Sequence, residues 1–147
     1  MIVIRRAQYS DLVRFSKFDS QDHVKEFFSY KTLDEHQRNF HSEDVVYLSI
    51  IDVFGDAVGY FILKLDVNGK SIQFKRILVG YEHLGIGQDA ISSMENYCQN
   101  KFKANRIWLD VYEDNHKAKH IYEKLGYIKF REKSEMNKTV LFYEKYL

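Results

Sequence analysis

The sequence contains no proline and only one cysteine, Cys98, in 147 residues. Because proline cannot mark any turn, glycine, asparagine and aspartate have to form the turns. A single cysteine excludes an internal disulfide framework and favours a reducing compartment. No run of about 18 apolar residues is present, and the apolar start MIVIRRAQYS is too short for a signal peptide. We therefore expect a cytoplasmic protein without a membrane span.

An excess of charge of one sign is also missing. The 22 Lys and Arg residues balance the 21 Asp and Glu residues to a net charge of +1, which gives no reason to expect a specific nucleic-acid or membrane partner. The length fits one domain, placed at residues 1–147. Apolar residues make up 45% and charged residues 29% of the chain, which is ordinary for a globular protein.

Hydrophobic periodicity predicts an α/β domain of the α+β type, with a mixed, mostly antiparallel central sheet flanked by about four helices. The predicted strands are MIVIRR, VVYLSIIDVF, YFILKLDV, SIQFKRILV, RIWLDVY, YIKFRE and TVLFYEKYL. Ser10 is the expected cap of the first helix, whose apolar side comprises Leu12, Val13, Phe15 and Phe18. Thr32 and Glu35 form a capping-box pattern for the second helix, and Gly126 is well placed to end the last.

The stretch YEHLGIGQDA, residues 81–90, connects a predicted strand to a predicted helix through Gly85 and Gly87. Glycine permits close backbone approach and positive φ, which we expect at Gly87, and the helix start attracts anions. The pattern favours a phosphate or pyrophosphate cradle, and a loop that merely needs flexible residues is the alternative. Gly85, Gly87 and Ala90 also match the dinucleotide fingerprint. However, GYEHL separates Gly85 from its strand, and the 35 residues after Tyr112 are too few for a doubly wound sheet.

The helix NHKAKHIYEKLG places Asn115 and Tyr122 on nearly the same face, because seven residues turn about 700° and rise about 10.5 Å. Ala118 lies between them and keeps this face shallow, so that a long, thin ligand could lie along it. Two other interpretations stay open. Asn115 is a good helix cap, and Tyr122 could simply belong to the core.

As a pair in this order, ILVGYEHLGIGQDAI and DNHKAKHIYEKLGYI resemble two stretches of the GNAT acyl-CoA-dependent N-acetyltransferases. The first resembles their pyrophosphate loop and the second their N-x-x-A-x-x-x-Y-x-x-x-G-F/Y stretch. The resemblance implies a single GNAT-type N-acetyltransferase domain. It also implies a splayed sheet, with acetyl-CoA, the acyl-donor cosubstrate, wedged between two parallel strands.

The resemblance also assigns the residues that bind the cofactor. It implies that Ile77, Leu78 and Val79 meet the pantetheine through backbone hydrogen bonds, that Asn115 contacts the CoA arm beside Ala118, and that Tyr122 faces the sulfur. The residues implied to bind the pyrophosphate are His83, Leu84, Gly85, Ile86, Gly87 and Gln88. Glu82 departs from the pattern, because the family usually has Gln or Arg at this position.

The implied reaction moves an acetyl group from a thioester to a primary amine. Such an amine has a pKa near 10.4, so that a base, or a water chain ending in one, has to remove a proton. The resemblance favours Asp110 as the catalytic base, and a solvated acid near a helix start is the alternative interpretation. A backbone N–H near Val79 is the expected donor to the thioester oxygen, and Tyr122 is the expected catalytic acid that protonates the thiolate.

Three further features receive structural interpretations or lesser roles. His116 and His120 are spaced i, i+4, but no third ligand is suggested nearby, so no metal site is predicted. Cys98 is expected to be buried rather than nucleophilic. The residues that could line the acceptor site are Glu26, Phe27, Phe28 and Tyr30.

The acceptor itself stays open among a polyamine, an aminoglycoside, an amino acid and a protein N-terminus, and a homodimer stays open as well. Two other functions compete with the enzyme. One is a catalytically silent acyl-CoA-binding regulatory module, and the other is a mononucleotide-binding protein.

Overall fold

The computed structural model describes residues 2–22, 31–68, 70–80 and 85–147. In this part of the chain seven strands form one mixed sheet in the order β1-β2-β3-β4-β5-β7-β6. The strands are β1 (Val3–Arg6), β2 (Val45–Ile51), β3 (Ala57–Leu65), β4 (Ser71–Val79), β5 (Arg106–Tyr112), β6 (Ile128–Glu135) and β7 (Lys138–Tyr146). The predicted fold class is confirmed.

Four helices flank this sheet within the described ranges. They are α1 (Leu12–Asp19), α2 (Leu33–Phe40), α3 (Gly87–Phe102) and α4 (His116–Lys124), and a 3₁₀ turn (Tyr9–Asp11) precedes α1. None of the helices described is long and apolar enough to cross a membrane.

Helices cover both faces of the sheet and create two cores. On one face, which we call the α3/α4 face, α3 buries Ala90, Ile91, Met94 and Cys98 against the strands, and α4 packs along the edge of the same core. On the other face, which we call the α1/α2 face, Leu12 and Phe15 of α1 are fully buried, and α2 adds Leu33 and Phe40 at the margin.

The only parallel strand pair in the described sheet is short. Strands β4 and β5 pair over three residues, from Ser71 opposite Arg106 to Gln73 opposite Trp108. Both strands then continue, β4 to Val79 and β5 to Tyr112. Their carboxyl-terminal halves therefore run on without pairing with each other, and a gap opens between them.

A β-bulge at Lys75 accompanies this separation. On β3, Ile62 pairs with Arg76, whereas the next residue, Leu63, pairs with Phe74, so that Lys75 is the extra residue on β4. A bulge bends its strand and increases its twist, and this one comes two residues after the last pair with β5. The bulge also interrupts the alternation of side chains along β4. Phe74 packs in the α3/α4 core, whereas Arg76, two residues later, reaches the α1/α2 face.

A buried polar network ties α1 and α2 to the sheet. The Asp19 carboxylate, at the end of α1, accepts hydrogen bonds from the Tyr60 hydroxyl at 2.6 Å and from Arg76 at 3.1 Å. The same carboxylate pairs with Nε2 of His36, whose Nδ1 lies 2.7 Å from the Tyr47 hydroxyl. All five side chains are buried. Because each polar group has a partner, the network avoids the cost of an unpaired buried charge.

A second buried carboxylate fixes α3 on the opposite face. Glu95 of α3 accepts a hydrogen bond from the Tyr127 hydroxyl at 2.8 Å and from Lys145 Nζ at 2.9 Å. Tyr127 follows α4 and Lys145 lies on β7. This contact therefore joins both helices of the α3/α4 face to the sheet.

Two predictions about α1 are wrong. Ser10 does not cap α1, because it lies inside the 3₁₀ turn, where Gln8 and Asp11 form a reciprocal capping box. Val13 is not on the apolar side and is 48% exposed. The buried residues of α1 recur at positions 12, 15 and 19, and a helix turns about 100° per residue, which rotates Val13 toward solvent.

The predicted helix boundaries elsewhere are confirmed. The Thr32 hydroxyl accepts the Glu35 N–H at 3.2 Å, and the Glu35 carboxylate accepts the Thr32 N–H at 3.3 Å. Gly126 follows α4 with a φ of 97°, a conformation that glycine adopts without steric cost.

We expect Arg76→Met to destabilise the protein strongly, since the buried Asp19 carboxylate loses its guanidinium partner. Removing one partner of a buried ion pair typically costs about 3–5 kcal/mol of unfolding free energy. The matched control is Lys64→Met, because Lys64 and Asp44 form an exposed pair at 3.7 Å, worth about 0.2–1 kcal/mol. Urea unfolding followed by circular dichroism measures both losses, and equal losses would show that the network does not stabilise the fold as described.

Candidate active site

The candidate active site begins at the gap between β4 and β5. The Gly80 N–H donates to the Val58 carbonyl of β3 at 2.9 Å. Because backbone groups alternate in direction along an antiparallel strand, Leu78 also directs its backbone groups toward β3. The N–H groups of Ile77 and Val79 therefore point toward the gap. Of the three residues predicted to meet the pantetheine, two direct backbone groups toward the gap and Leu78 does not.

Gly59 keeps β3 close to this part of β4. A Cβ atom at residue 59 would collide with the Leu78 carbonyl oxygen and lie 3.1 Å from the Val79 Cα. Any side chain would therefore displace the strand that borders the gap. Sequence analysis missed Gly59, because only the pairing of Gly59 with Val79 reveals the close approach.

The start of α3 presents backbone N–H groups beside open space. Gly85 and Ile86 form a 3₁₀ turn that leads into the first helical residue, Gly87. Ile86 is the N-cap and provides no side-chain hydrogen bond to the first turn. A Cβ atom at Gly85 or Gly87 would meet no atom within 4 Å. An anion can therefore approach the first-turn N–H groups of Gly87 and Gln88 closely.

One expectation about these glycines is wrong. The described glycines with positive φ are Gly55 and Gly126, and neither Gly85 nor Gly87 is among them. The chain already has right-handed 3₁₀ and helical conformation at residues 85–87, so that positive φ is not needed. Glycine matters here because it leaves out a side chain.

Several predicted positions lie outside the described residues. These are Glu26, Phe27, Phe28 and Tyr30 among the residues considered for the acceptor site, and Glu82, His83 and Leu84 in the pyrophosphate loop.

Helix α4 presents the predicted ligand face. Asn115, Ala118 and Tyr122 are all half-buried, and Ala118 and Tyr122 pack at the edge of the α3/α4 core. The interpretation of Asn115 as a helix cap is confirmed, because its Oδ1 accepts the Ala118 N–H at 3.2 Å. Its contact with the CoA arm stays a prediction.

The Tyr122 ring is held by other rings while its hydroxyl is available. The ring packs edge-on against Phe74 at 5.9 Å and against Tyr127 at 6.0 Å between centroids. Among the described residues, none accepts a hydrogen bond from the Tyr122 hydroxyl. Burial raises the pKa of Tyr122 to about 12, and the negative charge of Asp110 adds to the rise. The phenol therefore stays protonated at neutral pH, and Tyr122 and Asp110 are close enough to interact.

Asp110 lies on β5 with its side chain on the α1/α2 face. Its neighbours Leu109 and Val111 are buried in the α3/α4 core, so strand alternation turns Asp110 the other way. The side chain keeps access to solvent, yet partial burial raises the pKa of Asp110, with Lys75 opposing the rise and Glu135 adding to it. A raised pKa makes the carboxylate a stronger base, which suits its predicted role.

Cys98 has no part in this site. It is fully buried in α3, and its Sγ lies 3.7 Å from Sδ of Met94. Burial raises the pKa of the Cys98 thiol to about 12. The prediction of a buried cysteine is confirmed, and a raised pKa disfavours the reactive thiolate.

A polar cavity of about 310 Å³ opens beyond the end of β5. Its lining residues are Glu113, Asp114, His116, Asn137, Lys138 and Thr139. The cavity brings the β6–β7 turn next to the start of α4. The sequence gives no sign of this proximity, because more than twenty residues separate the two segments.

Comparisons with known proteins bear on the family and the fold. The acetyltransferase (GNAT) family matches residues 9–127, whereas no curated protein matches the chain. The fold is similar to that of spermidine N-acetyltransferase from Vibrio cholerae in complex with CoA and spermine, which is 19% identical with a TM-score of 0.81. It is also similar to aminoglycoside acetyltransferase AAC(6')-Ib in complex with coenzyme A and kanamycin, which is 16% identical with a TM-score of 0.83. Each comparison covers 99% of this chain and 95% of the other. Because the family match spans most of its length, this chain belongs to the acetyltransferase (GNAT) family.

Proposed function

We propose that this protein transfers an acetyl group from acetyl-CoA to a primary amine, with Asp110 and Tyr122 as its catalytic residues. The reaction class and the acyl donor follow from the family. The observation that carries the residue assignment is the position of both side chains. They lie on different elements beside the β4–β5 gap and are close enough for the charge of Asp110 to raise the pKa of Tyr122.

Binding of the donor follows from the groups beside the gap. The N–H group of Ile77 can extend the hydrogen bonding of β4 to an amide-containing chain. The open start of α3, at Gly85 to Gln88, suits the pyrophosphate. The half-buried face of α4 at Asn115 and Ala118 suits the thin arm between the two. The bound thioester supplies the activated acetyl group.

The two catalytic residues act on different groups: Asp110 on the attacking amine and Tyr122 on the leaving sulfur. Asp110 removes a proton from the attacking amine, directly or through water. Tyr122 donates a hydrogen bond to the leaving sulfur. The pKa of Tyr122 is about 12, and a thiol has a pKa near 8.5, so complete proton transfer to an ordinary thiolate is uphill by about 3.5 units. Hydrogen bonding to the thiolate is therefore the main role of the phenol, and transfer follows as the dry site raises the pKa of the thiol.

We propose that the acceptor is a cationic amine, such as a polyamine or an aminoglycoside. Carboxylates support this class, because Glu135 lies near Asp110, and Glu113 and Asp114 line the polar cavity beyond β5. Two proteins of the same fold have been solved with spermine and with kanamycin.

Thiol release from acetyl-CoA, measured against polyamines, aminoglycosides, amino acids and a peptide N-terminus, tests the function. No release above the hydrolysis background with any amine would contradict it.

We also propose that the protein is cytoplasmic and forms a homodimer. The buried free thiol of Cys98 supports a reducing compartment. The edge strand β6 is exposed along its whole length, and its first residue, Ile128, is 71% exposed, which offers a surface to a second copy. Sedimentation at micromolar concentration tests the dimer, and a monomer throughout would exclude it.

The anion site at α3 predicts ligand-dependent stability. Acetyl-CoA at about 100 times its Kd should stabilise the protein by roughly 2.7 kcal/mol, and NAD should not. We expect Gly87→Val to abolish the shift in Tm, because the side chain fills the space that the phosphate needs. The fold should survive, since no atom lies within 4 Å of the added Cβ. Ser92→Val, at an exposed position of the same helix, is the control, and an undiminished shift in folded Gly87→Val would refute the cradle.

The role of Asp110 predicts a pH-dependent defect. Asp110→Asn keeps the shape and removes the basicity, so turnover should fall most at neutral pH, where the amine is protonated. The loss should shrink at high pH, where the amine deprotonates unaided. The wild type should lose kcat/KM on acidification at a pH above the usual titration range of aspartate, because the pKa of Asp110 is raised. A loss that is equal at every pH would leave Asp110 as a structural acid.

The role of Tyr122 predicts a loss of rate without a loss of binding. Tyr122→Phe removes only the hydroxyl, so kcat should fall on the order of 10²–10⁴-fold with acetyl-CoA affinity and Tm nearly unchanged. Tyr97→Phe is the matched control, because Tyr97 is half-buried on α3 and packs against Phe102. Steady-state kinetics decide. Activity of Tyr122→Phe within about threefold of the wild type, less than such an acid contributes, would return Tyr122 to a core role.

A further inference from the structure

Lys75 and Asp110 occupy equivalent positions on the two strands that separate. The last pairs between β4 and β5 are Ile72 with Ile107 and Gln73 with Trp108. Partners in a parallel pair face the same side of the sheet, and both isoleucines are buried in the α3/α4 core. Two residues beyond Gln73 and Trp108 come Lys75 and Asp110. Strand alternation turns Asp110 toward the α1/α2 face. Lys75, the extra residue of the β4 bulge, lies exposed on the other side of the gap.

The neighbouring cation on β4, Arg76, already has hydrogen-bond partners. Arg76 is buried and bonds to Asp19 and to the Tyr60 hydroxyl, whereas Lys75 is exposed. Lys75 forms no ion pair within 4 Å in the part of the chain that the structure describes. Its charge therefore acts on Asp110 across the gap rather than through direct contact.

We propose, on the basis of the proposed function, that Lys75 is a positioning residue that keeps the Asp110 carboxylate beside the gap ionised. The groups that act on Asp110 come from each element beside it. Lys75 on β4 favours the carboxylate, Glu135 on β6 opposes it, and Tyr122 on α4 interacts with its charge. The partner on β7, Phe142, carries no charge.

The charge of Lys75 keeps a partly buried base in the ionised form that can accept a proton. Partial burial and Glu135 both raise the pKa of Asp110, and Lys75 is the cation that opposes them. Without Lys75 the carboxylate would become protonated at higher pH and lose its capacity to accept a proton from the amine.

Carbon-13 NMR titration of the Asp110 carboxyl, assigned with Asp110→Asn, tests the inference in the intact protein without any ligand. Lys75→Met should raise the titration midpoint by about 0.2–0.7 pH units, the range expected from the strength of exposed charge pairs. Lys75→Arg should preserve the wild-type midpoint. Lys64→Met, which removes a lysine paired with Asp44, should preserve it as well. Concentrated salt should shrink the difference, because both groups keep access to solvent.

An unchanged midpoint in Lys75→Met, or an equal shift in Lys64→Met, would overturn the role of Lys75. Lys75→Gln, which keeps a polar end, provides the same comparison if methionine disturbs the bulge. In an active enzyme the acid limb of kcat/KM should move with the midpoint. Because the NMR titration needs no turnover, inactivity toward every amine would overturn only the proposed function.

Discussion

Strands β4 and β5 stop pairing after Gln73 and Trp108, and the candidate site depends on this early separation. A continuous parallel ladder would bond every backbone group of β4 to a neighbouring strand. The bulge at Lys75 bends β4 at the point of separation and leaves the N–H group of Ile77 directed toward the gap. A ligand with its own amides can replace the missing strand partner, which is the physical basis for binding an extended cosubstrate there.

The gap stays open because each side of it is fixed separately. On the α1/α2 face, Asp19 and Arg76 join α1 to β4 through a buried ion pair at 3.1 Å. On the α3/α4 face, Glu95 joins α3 to Tyr127 and Lys145. Both carboxylates are buried with all partners satisfied, and breaking either would leave an uncompensated charge. The helices thus hold the sheet in a geometry that backbone pairing alone would close.

Local sequence patterns predicted the helices and strands. They also predicted the part of the site in which residues of suitable chemistry share one helix face. The spacing of Asn115, Ala118 and Tyr122 fixed one helix face because 3.6 residues per turn applies to any helix. The Thr32 and Glu35 capping box was predictable for the same reason. The positive φ expected at Gly87 was wrong, because a 3₁₀ turn already brings the chain into helical conformation there.

Features that depend on strand neighbours could not be predicted. The bulge at Lys75 is visible only as two residues facing one across a strand pair, and Gly59 only as a close approach to Val79. The partners of Asp19 are distant in sequence, since Arg76 lies 57 residues away. No periodicity within one segment reports which residues of another segment it meets. These same features give Asp110 and Tyr122 their surroundings, so the site needed the fold before its chemistry could be argued.

Amide hydrogen exchange, measured by NMR with and without acetyl-CoA, tests most directly whether the β4–β5 gap takes the acyl donor. We predict that exchange at Ile77 slows when the protein is saturated, because its N–H then donates to the ligand. Exchange at Leu78, whose N–H already faces β3, should change little. Unchanged exchange at Ile77 under saturation, with protection appearing elsewhere in the protein, would contradict the placement of acetyl-CoA in the gap.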